Sequence, residues 1–357
     1  LAAMGPNRWG TRSEEWVFSL GYPLGDPDAG DPDKVVARMR TVFGLPDFDP
    51  EVHAVSVWRL MGVLANRFRV GRVFVAGDAA HRHPPTGGLG LNSAVHDVHN
   101  LCWKLAAVLA GEAGDGLLDT YEAERRPVNR RNIDNSVACA MAHFRLDEAL
   151  GMSLDKPAEE NWRELDIIWD ETHPEHLERR DIVNNALAAQ SYQFRHHGLE
   201  FGFTYDSAAI VDDGSPARAP IDAVRLYEPS TKPGHPLPHA FVARRGDVFA
   251  LQNLTYGGKF LLIAGEDGRG WVEAARKIAE SSRIALQAYT IGADDAELAD
   301  TRFAWLRKRE ISRRGAVLVR PDRVVGFRSH EAVDDPQAVL CDALQTILRV
   351  PDLAATA

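Results

Sequence analysis

The stretch Val73-Phe-Val-Ala-Gly-Asp-Ala-Ala-His81, continued by Arg82-His-Pro-Pro-Thr-Gly-Gly-Leu-Gly-Leu-Asn92, decides how this chain folds. Its first four residues are apolar, two of them β-branched and one aromatic, which predicts a short buried strand. The strand ends at Gly77-Asp78, so a carboxylate follows its carboxyl end. Open α/β sheets bind their ligands at that end of a strand.

A glycine-rich loop and a helix come next. Pro84 and Pro85 stiffen the loop, and its glycines allow the backbone to approach a ligand closely. Beyond Asn92 the pattern becomes helical, and we predict a helix over 93–110 with Lys104 off its apolar stripe. The apolar stripe consists of Val95, Val98, Leu101, Leu105 and Leu109. A strand, an acidic turn, a glycine loop and a helix N-terminus together indicate a nucleotide cofactor site.

These residues resemble the second FAD motif of the flavoprotein aromatic hydroxylases, single-component monooxygenases similar to p-hydroxybenzoate hydroxylase and phenol hydroxylase. The tail resembles the branch that contains 2,4-dichlorophenol 6-monooxygenase. The resemblance extends to Tyr121-Glu-Ala-Glu-Arg125-Arg126-Pro127, to Gly202-Phe-Thr-Tyr205-Asp-Ser207 and to Gly315-Ala-Val-Leu-Val-Arg320-Pro321-Asp322. It therefore covers nearly the whole chain.

The resemblance implies an FAD-dependent, NAD(P)H-consuming monooxygenase that hydroxylates a phenolic ring with O2 through a flavin C4a-hydroperoxide. It implies that Asp78 accepts a hydrogen bond from a ribitol or ribose hydroxyl of FAD. The loop N–H groups would face the pyrimidine edge of the flavin and stabilise its reduced anion. We nominate no catalytic residue. The predicted cofactor-binding residues are Asp78, Pro85, Gly87, Gly88, Leu89, Gly90, Leu91 and Asn92.

The chain lacks the G-x-G-x-x-G fingerprint with which family members begin. We therefore expect the C-terminal portion of a longer enzyme, and the activity above belongs to the intact protein. Two alternatives stay open. One is another flavoprotein of the same fold, a reductase or a halogenase. The other is a non-catalytic gene fragment or interaction module.

Composition excludes several other classes of protein. The chain has 41 basic and 51 acidic residues, a net charge of −10, which argues against a nucleic-acid surface. It has no run of 18 apolar residues, so we expect no membrane span. Three widely spaced cysteines predict no disulfide framework, and a reducing cytoplasm is the expected location.

We predict an α/β protein with three regions. Residues 1–150 would be part of a p-hydroxybenzoate-hydroxylase-like FAD-binding and substrate domain, without the N-terminal dinucleotide motif. Residues 151–238 would be a helical and proline-rich connecting region. Residues 239–357 would be a thioredoxin-like domain without C-x-x-C, because strand, helix, strand, hairpin and helix follow in that order. This domain would cover the flavin domain or form a homodimer contact.

The elements behind these regions can be placed along the chain. We expect strands at 12–24, 52–58, 259–264 and 284–291, and a hairpin from 316–321 and 324–327. Helices are expected at 34–43, at about 119–145, near 180–195, at 271–281 and at 336–348. Pro127 should kink its helix or begin a new one.

A metal site is an alternative use of the histidines near the loop. His81, His83, His96 and His99 have H-x-H and H-x-x-H spacing. The intervening prolines and glycines would not hold them around one ion, so we expect solvated or helix-side histidines and no metal site. For the neighbouring pair Trp103-Lys104 we expect a packed tryptophan and a lysine that reaches the surface.

Overall fold

A computed structural model describes residues 1–153, 155–216, 218–293 and 296–353. The chain divides into two compact units, Leu1–Leu60 and Met61–Ala357.

The first unit contains a two-stranded antiparallel sheet and one helix. The strands are β1 (Ala2–Gly5) and β2 (Glu15–Val17), and the helix is α1 (Pro32–Phe43). Asp31 caps α1 by accepting hydrogen bonds from the N–H groups of Asp33 and Lys34, and Gly44 ends it in the left-handed conformation, with φ of +63°. The predicted helix at 34–43 is confirmed.

Two strand predictions in this unit need correction. The expected strand at 12–24 is reduced to Glu15–Val17, and the expected strand at 52–58 is absent from these described residues. Val57 and Trp58 are both exposed, and no described strand pairs with this segment. An alternating sequence without a neighbouring strand or a core beneath it has nothing to hold it extended.

The second unit begins with short strands and long helices and ends with a mixed sheet. Its first strands are β3 (Val63–Leu64), β4 (Arg69–Val70), β5 (Val73–Phe74) and β6 (His81–Arg82). Its first helices are α2 (Leu89–Leu109), α3 (Gly116–Ala149), α4 (Ala158–Trp169), α5 (His176–Ala189) and α6 (His197–Phe201). The sheet region contains β7 (Phe241–Arg244), β8 (Asp247–Ala250), β9 (Phe260–Ala264), α7 (Arg269–Ser281), β10 (Leu286–Gly292), β11 (Leu298–Ala299), α8 (Ala304–Lys308), β12 (Ala316–Val319), β13 (Val325–Ser329) and α9 (Pro336–Leu348).

The strand before the glycine loop differs from the prediction. β5 has two residues, and Val73 is 68% exposed, so the expected buried strand is wrong in length and in burial. β5 pairs with β4 in an antiparallel hairpin. The cause is local, because Gly71 takes a φ of +58° in the turn between them and folds the two strands onto each other.

Helix α2 exists as predicted but buries a different face. Val95, Val98 and Leu109 of the predicted stripe are exposed. Lys104 is fully buried, so the prediction that it reaches the surface is wrong, whereas Trp103 is packed as predicted. The buried face consists of Leu89, Ser93, Asp97, Asn100, Leu101, Trp103, Lys104 and Ala107. Half of these residues are polar or charged, and only buried partners on other elements can stabilise them.

Helix α3 runs from Gly116 to Ala149 and contains Pro127, so this proline does not begin a new helix. The helix expected near 180–195 ends earlier as an α-helix, at Ala189, and continues as a short 3-10 turn. Between α6 and β7 the described residues form no helix or strand, as the prolines there predict.

The sheet has the strand order β13-β12-β9-β10-β11-β7-β8. β9 is parallel to β10 and antiparallel to β12, and β12 forms a hairpin with β13. Along β9 the side chains alternate between two apolar cores: Phe260 and Leu262 pack with α7 and α9, whereas Leu261 and Ile263 pack on the opposite face. The predicted strand at 259–264, the hairpin and the last helix are confirmed.

None of the described helices combines the length and the apolar character that crossing a bilayer requires.

Candidate cofactor site

The glycine loop begins at a tight turn against α2. Gly77 has a φ of +58°, and a Cβ at this position would lie 3.2 Å from the Cβ of Ala94. The Gly77 N–H donates to Oδ2 of Asp97 at 3.1 Å. A residue without a side chain therefore lets the turn pack onto the helix, and Asp78 follows on its exposed side.

The loop ends at the N-terminus of α2. Gly87 and Gly88 have φ of +85° and +64°, and a Cβ on Gly88 would meet nothing within 4 Å. Gly88 occupies the N-cap position, and no side chain accepts a hydrogen bond from the first turn. The Asn92 amide instead donates to the Gly88 carbonyl at 3.1 Å. The first N–H groups of α2 are thus left for a ligand or for water.

The structure places the predicted cofactor-binding residues along one stretch, but with different exposure. Leu89 is buried and anchors the helix start, and Gly87 and Gly90 are half-buried. Asp78, Pro85, Gly88, Leu91 and Asn92 are exposed. Because Asp78 is exposed, its carboxylate can accept a hydrogen bond from a hydroxyl donor.

Behind the loop lies a buried ionic group that we call the Asp97 cluster, formed by Asp97, His81, Arg125 and Asn129. Asp97 Oδ1 accepts hydrogen bonds from Arg125 Nε and Asn129 Nδ2, both at 2.9 Å. Oδ2 lies 2.6 Å from His81 Nε2. Burial alone would raise the pKa of Asp97, but the hydrogen bond from His81 and the charge of Arg125 lower it, so the carboxylate is ionised.

His83 continues this cluster towards the loop. Its Nε2 lies 3.0 Å from His81 Nδ1, whereas its own Nδ1 is buried and has no hydrogen-bond partner among the described residues. Burial lowers the pKa of His83 to about 4. His83 is therefore neutral at physiological pH.

A second buried group, the Glu124 cluster, joins α2 and α3 to the turn between β12 and β13. It contains Glu124, Lys104, Arg320, Asp322 and Asn100. Both Glu124 oxygens accept from Arg320, at 2.6 and 2.8 Å, and Oε2 also accepts from Lys104 at 2.7 Å. Arg320 Nε donates to Asp322 at 3.1 Å, and the Asn100 amide donates to both carboxylates.

The charges of the Glu124 cluster balance. Burial would raise the pKa of Glu124, but Arg320 and Lys104 lower it below its ordinary value. Burial lowers the pKa of Lys104 to about 8, which leaves the amine protonated at neutral pH. Two cations and two carboxylates therefore lie together inside the protein.

Sequence reasoning missed both clusters, although a signal was present. Ser93, Asp97, Asn100 and Lys104 recur at four-, three- and four-residue steps, which places them on one helical face. Their partners Glu124 and Arg125 lie in a motif that supported the family resemblance. The sequence analysis did not predict that these two residues form buried ion pairs. Among the described residues no group of three His, Cys, Asp or Glu side chains could hold a metal ion.

Two family models match this chain. Residues 2–136 match the FAD binding domain, and residues 230–351 match the C-terminal domain of aromatic-ring hydroxylases. Two parts of the chain thus match domains of the FAD-dependent aromatic-ring hydroxylases. The glycine loop, α2 and the Asp97 cluster lie within the matched FAD binding domain, and the family's cofactor is FAD.

Curated relatives in this hydroxylase family include phenol 2-monooxygenase of Pseudomonas sp. (strain EST1001), 34% identical over 95% of this chain and 56% of the relative. The 2,4-dichlorophenol 6-monooxygenase of Delftia acidovorans is 36% identical over 94% of this chain and 57% of the relative. The crystal structure of the flavin-dependent monooxygenase PieE with FAD and substrate matches with a TM-score of 0.83 and 38% identity, over 93% of this chain and 57% of PieE. The chain thus spans somewhat more than half the length of these relatives.

Proposed function

We propose that this chain contributes the flavin-contacting loop and the C-terminal domain of a monooxygenase that hydroxylates a phenolic ring. The observation that carries the proposal is the uncapped N-terminus of α2 behind a glycine loop, held in place by the buried Asp97 cluster. Relatives named for phenol and dichlorophenol support the substrate class.

The described residues fit FAD in two ways. Asp78 offers an exposed carboxylate to a hydroxyl of the cofactor, and a charge-assisted bond of this kind is about twice as strong as a neutral one. The first N–H groups of α2 offer donors to the carbonyl edge of the ring system, where Gly88 leaves the approach open. Bound FAD would supply the redox chemistry with O2, and NAD(P)H would supply the electrons.

The protein's own part in this reaction is to orient and to stabilise charge. Negative charge on the ring system of the cofactor would be stabilised by the N-terminus of α2. Asp97 fixes the helix by accepting hydrogen bonds from Arg125 of α3 and from the Gly77 N–H of the turn. We assign no general base for the phenol.

A test of this proposal uses flavin binding and turnover. Titration of FAD with the chain, followed by flavin fluorescence, should give saturable binding that Asp78→Ala weakens and that Asp134→Ala, an exposed control on α3, leaves unchanged. In the intact protein, a panel of phenols should stimulate NADH or NADPH oxidation. Lack of any FAD binding, or oxidation that is indifferent to phenols, would contradict the proposal.

We further propose that the C-terminal region, 239–357, is a thioredoxin-like domain without redox activity. The order β13-β12-β9-β10, with a parallel pair joined through α7, supports the topology. The region has a single cysteine, Cys341, and so cannot form an internal dithiol. Insulin reduction by the protein would contradict this assignment. NADH or NADPH preference, a cytoplasmic location, a homodimer and the three region boundaries stay predictions.

A further inference from the structure

We propose that His83 is a fixed hydrogen-bond acceptor of the cofactor site. A series of hydrogen bonds from Asp97 through His81 to His83 would keep Nδ1 of His83 free of hydrogen. The ligand group it would accept from is an N–H or O–H donor bound at the glycine loop. This inference rests on the proposed function for the identity of the ligand, but the state of His83 is a property of the chain alone.

The chain begins at Asp97. As an ionised carboxylate, Asp97 can only accept hydrogen bonds, so the short 2.6 Å contact requires a hydrogen on His81 Nε2. The charge of Asp97 is already balanced by Arg125 at 2.9 Å. In the form of His81 that we propose, the single ring hydrogen lies on Nε2 and Nδ1 carries none.

His81 in turn determines which ring nitrogen of His83 carries the hydrogen. The bare Nδ1 of His81 accepts from His83 Nε2 at 3.0 Å, so the hydrogen of His83 lies on Nε2. The rings meet edge to face, with centroids 4.9 Å apart. A neutral His83 therefore presents a lone pair at Nδ1, the buried atom that has no partner among the described residues.

The surroundings favour this neutral acceptor. The charged and titratable groups that act on His83 are His81 on β6, Asp97 on α2 and Asp78 on the turn before β6, and the pKa of His83 is about 4. His83 also borders the loop, because a Cβ on Gly90 would lie 3.8 Å from its own Cβ. His83 would accept from the donor, whereas the α2 N–H groups would donate to acceptors of the same ligand.

Two sources of the donor are distinguishable, the imide N–H of the flavin ring and the hydroxyl of a phenol. The probes are FAD, FAD methylated at the imide nitrogen, and phenol itself. Imidazole nitrogen resonances of the 15N-histidine-labelled chain report the state of each ring nitrogen directly. We expect His83 Nδ1 to be unprotonated and Nε2 to be protonated at neutral pH, and Nδ1 to shift with one of the probes.

Variants test whether the hydrogen bonds from Asp97 and His81 orient His83 or whether His83 is only packed in place. His81→Gln can still donate to Asp97 and accept from His83, so it should preserve the His83 tautomer, whereas His81→Ala should release it. His83→Ala should weaken binding of the responding probe about three- to tenfold, the loss of one hydrogen bond. His99→Ala, an exposed histidine of α2, is the matched control.

Three results would overturn the inference. They are a hydrogen on His83 Nδ1 in the unliganded chain, a tautomer that survives His81→Ala, and an Nδ1 resonance that responds to none of the three probes. Failure of FAD to bind at all would count against the proposed function, whereas the tautomer of His83 would still be measured in the free chain.

Discussion

Helix α2 contributes to two buried ionic clusters. They differ in whether the outermost side chain has a hydrogen-bond partner within the protein. In the Glu124 cluster the ionised side chains bond one another, with two cations facing two carboxylates across α2, α3 and the β12–β13 turn. The Asp97 cluster leads through His81 to His83, whose outer nitrogen has no partner among the described residues. The closed cluster fixes the fold, and the open one reaches the loop where a ligand can complete it.

The largest expected effect is on the closed cluster. Glu124→Ala leaves Lys104 and Arg320 buried without their shared carboxylate, and we expect the free energy of unfolding to fall by about 4–5 kcal/mol. Denaturant unfolding measures the loss. Glu148→Gln, an exposed change on the same helix, should stay within about 0.5 kcal/mol. Equal effects of the two substitutions would show that the cluster does not hold these elements together.

A smaller loss is expected from the open cluster. Asp97→Ala leaves one buried cation, Arg125, without its carboxylate. We expect the free energy of unfolding to fall by about 3 kcal/mol, because only one buried ion pair is broken. The same unfolding assay compares it with Asp134→Ala, which removes an exposed pair with Arg130 and should cost at most about 1 kcal/mol. A larger loss for Asp97→Ala than for Glu124→Ala would reverse the ranking of the two clusters.

At the loop itself, binding should change while stability does not. If Asp78 holds FAD as proposed, Asp78→Ala removes a charge-assisted bond of about 1.5–3 kcal/mol, so FAD affinity should fall roughly ten- to a hundredfold with little change in the free energy of unfolding. Gly90→Val should instead place a branched side chain at the proposed flavin edge, beside His83, whose Cβ would lie 3.8 Å from the new Cβ, and the flavin potential should fall with the reduction rate. Equal effects of the two changes on affinity, without a change in potential, would remove this division of roles.

A further prediction concerns the acid dependence of stability. His83 and His96 both have pKa values of about 4, lowered first by burial from 6.5, so the unfolded chain binds more protons between these values. Stability should therefore fall as the pH is lowered from about 6.5 to about 4, before the carboxylates of the clusters are protonated. The free energy of unfolding measured over this pH range should fall less steeply in His83→Gln than in the unmodified protein. His197→Gln, at an exposed position, is the control. An unchanged slope in His83→Gln would show that His83 is not held neutral by the fold.

Local patterns predicted the elements that local interactions determine. The capped helix α1, the apolar strand β9, the β12–β13 hairpin and α9 all follow from residues close together in the chain. The glycine loop was located for the same reason, because glycine and proline restrict the backbone wherever they occur. Helix α2 begins at Leu89, before the predicted start at residue 93.

The face of α2 was not predictable from its own apolar residues. Val95 and Val98 are exposed while Asp97 and Lys104 are buried, which reverses the usual rule. The residues that stabilise these buried polar side chains lie far away in the sequence. Asn100, for example, donates to Asp322, which is 222 positions away. Helical periodicity reports which residues share a face, but it does not report what that face meets.

The central claim is that the N-terminus of α2 receives the cofactor while its C-terminal half is held by the Glu124 cluster. Hydrogen–deuterium exchange of the chain, with and without saturating FAD, tests it most directly. We predict that FAD slows exchange of the N–H groups of residues 89–92, which have no capping side chain, and leaves residues 100–109 and 316–325 unchanged. Unchanged exchange at 89–92 when FAD is bound, or equal slowing at both ends of α2, would contradict the account.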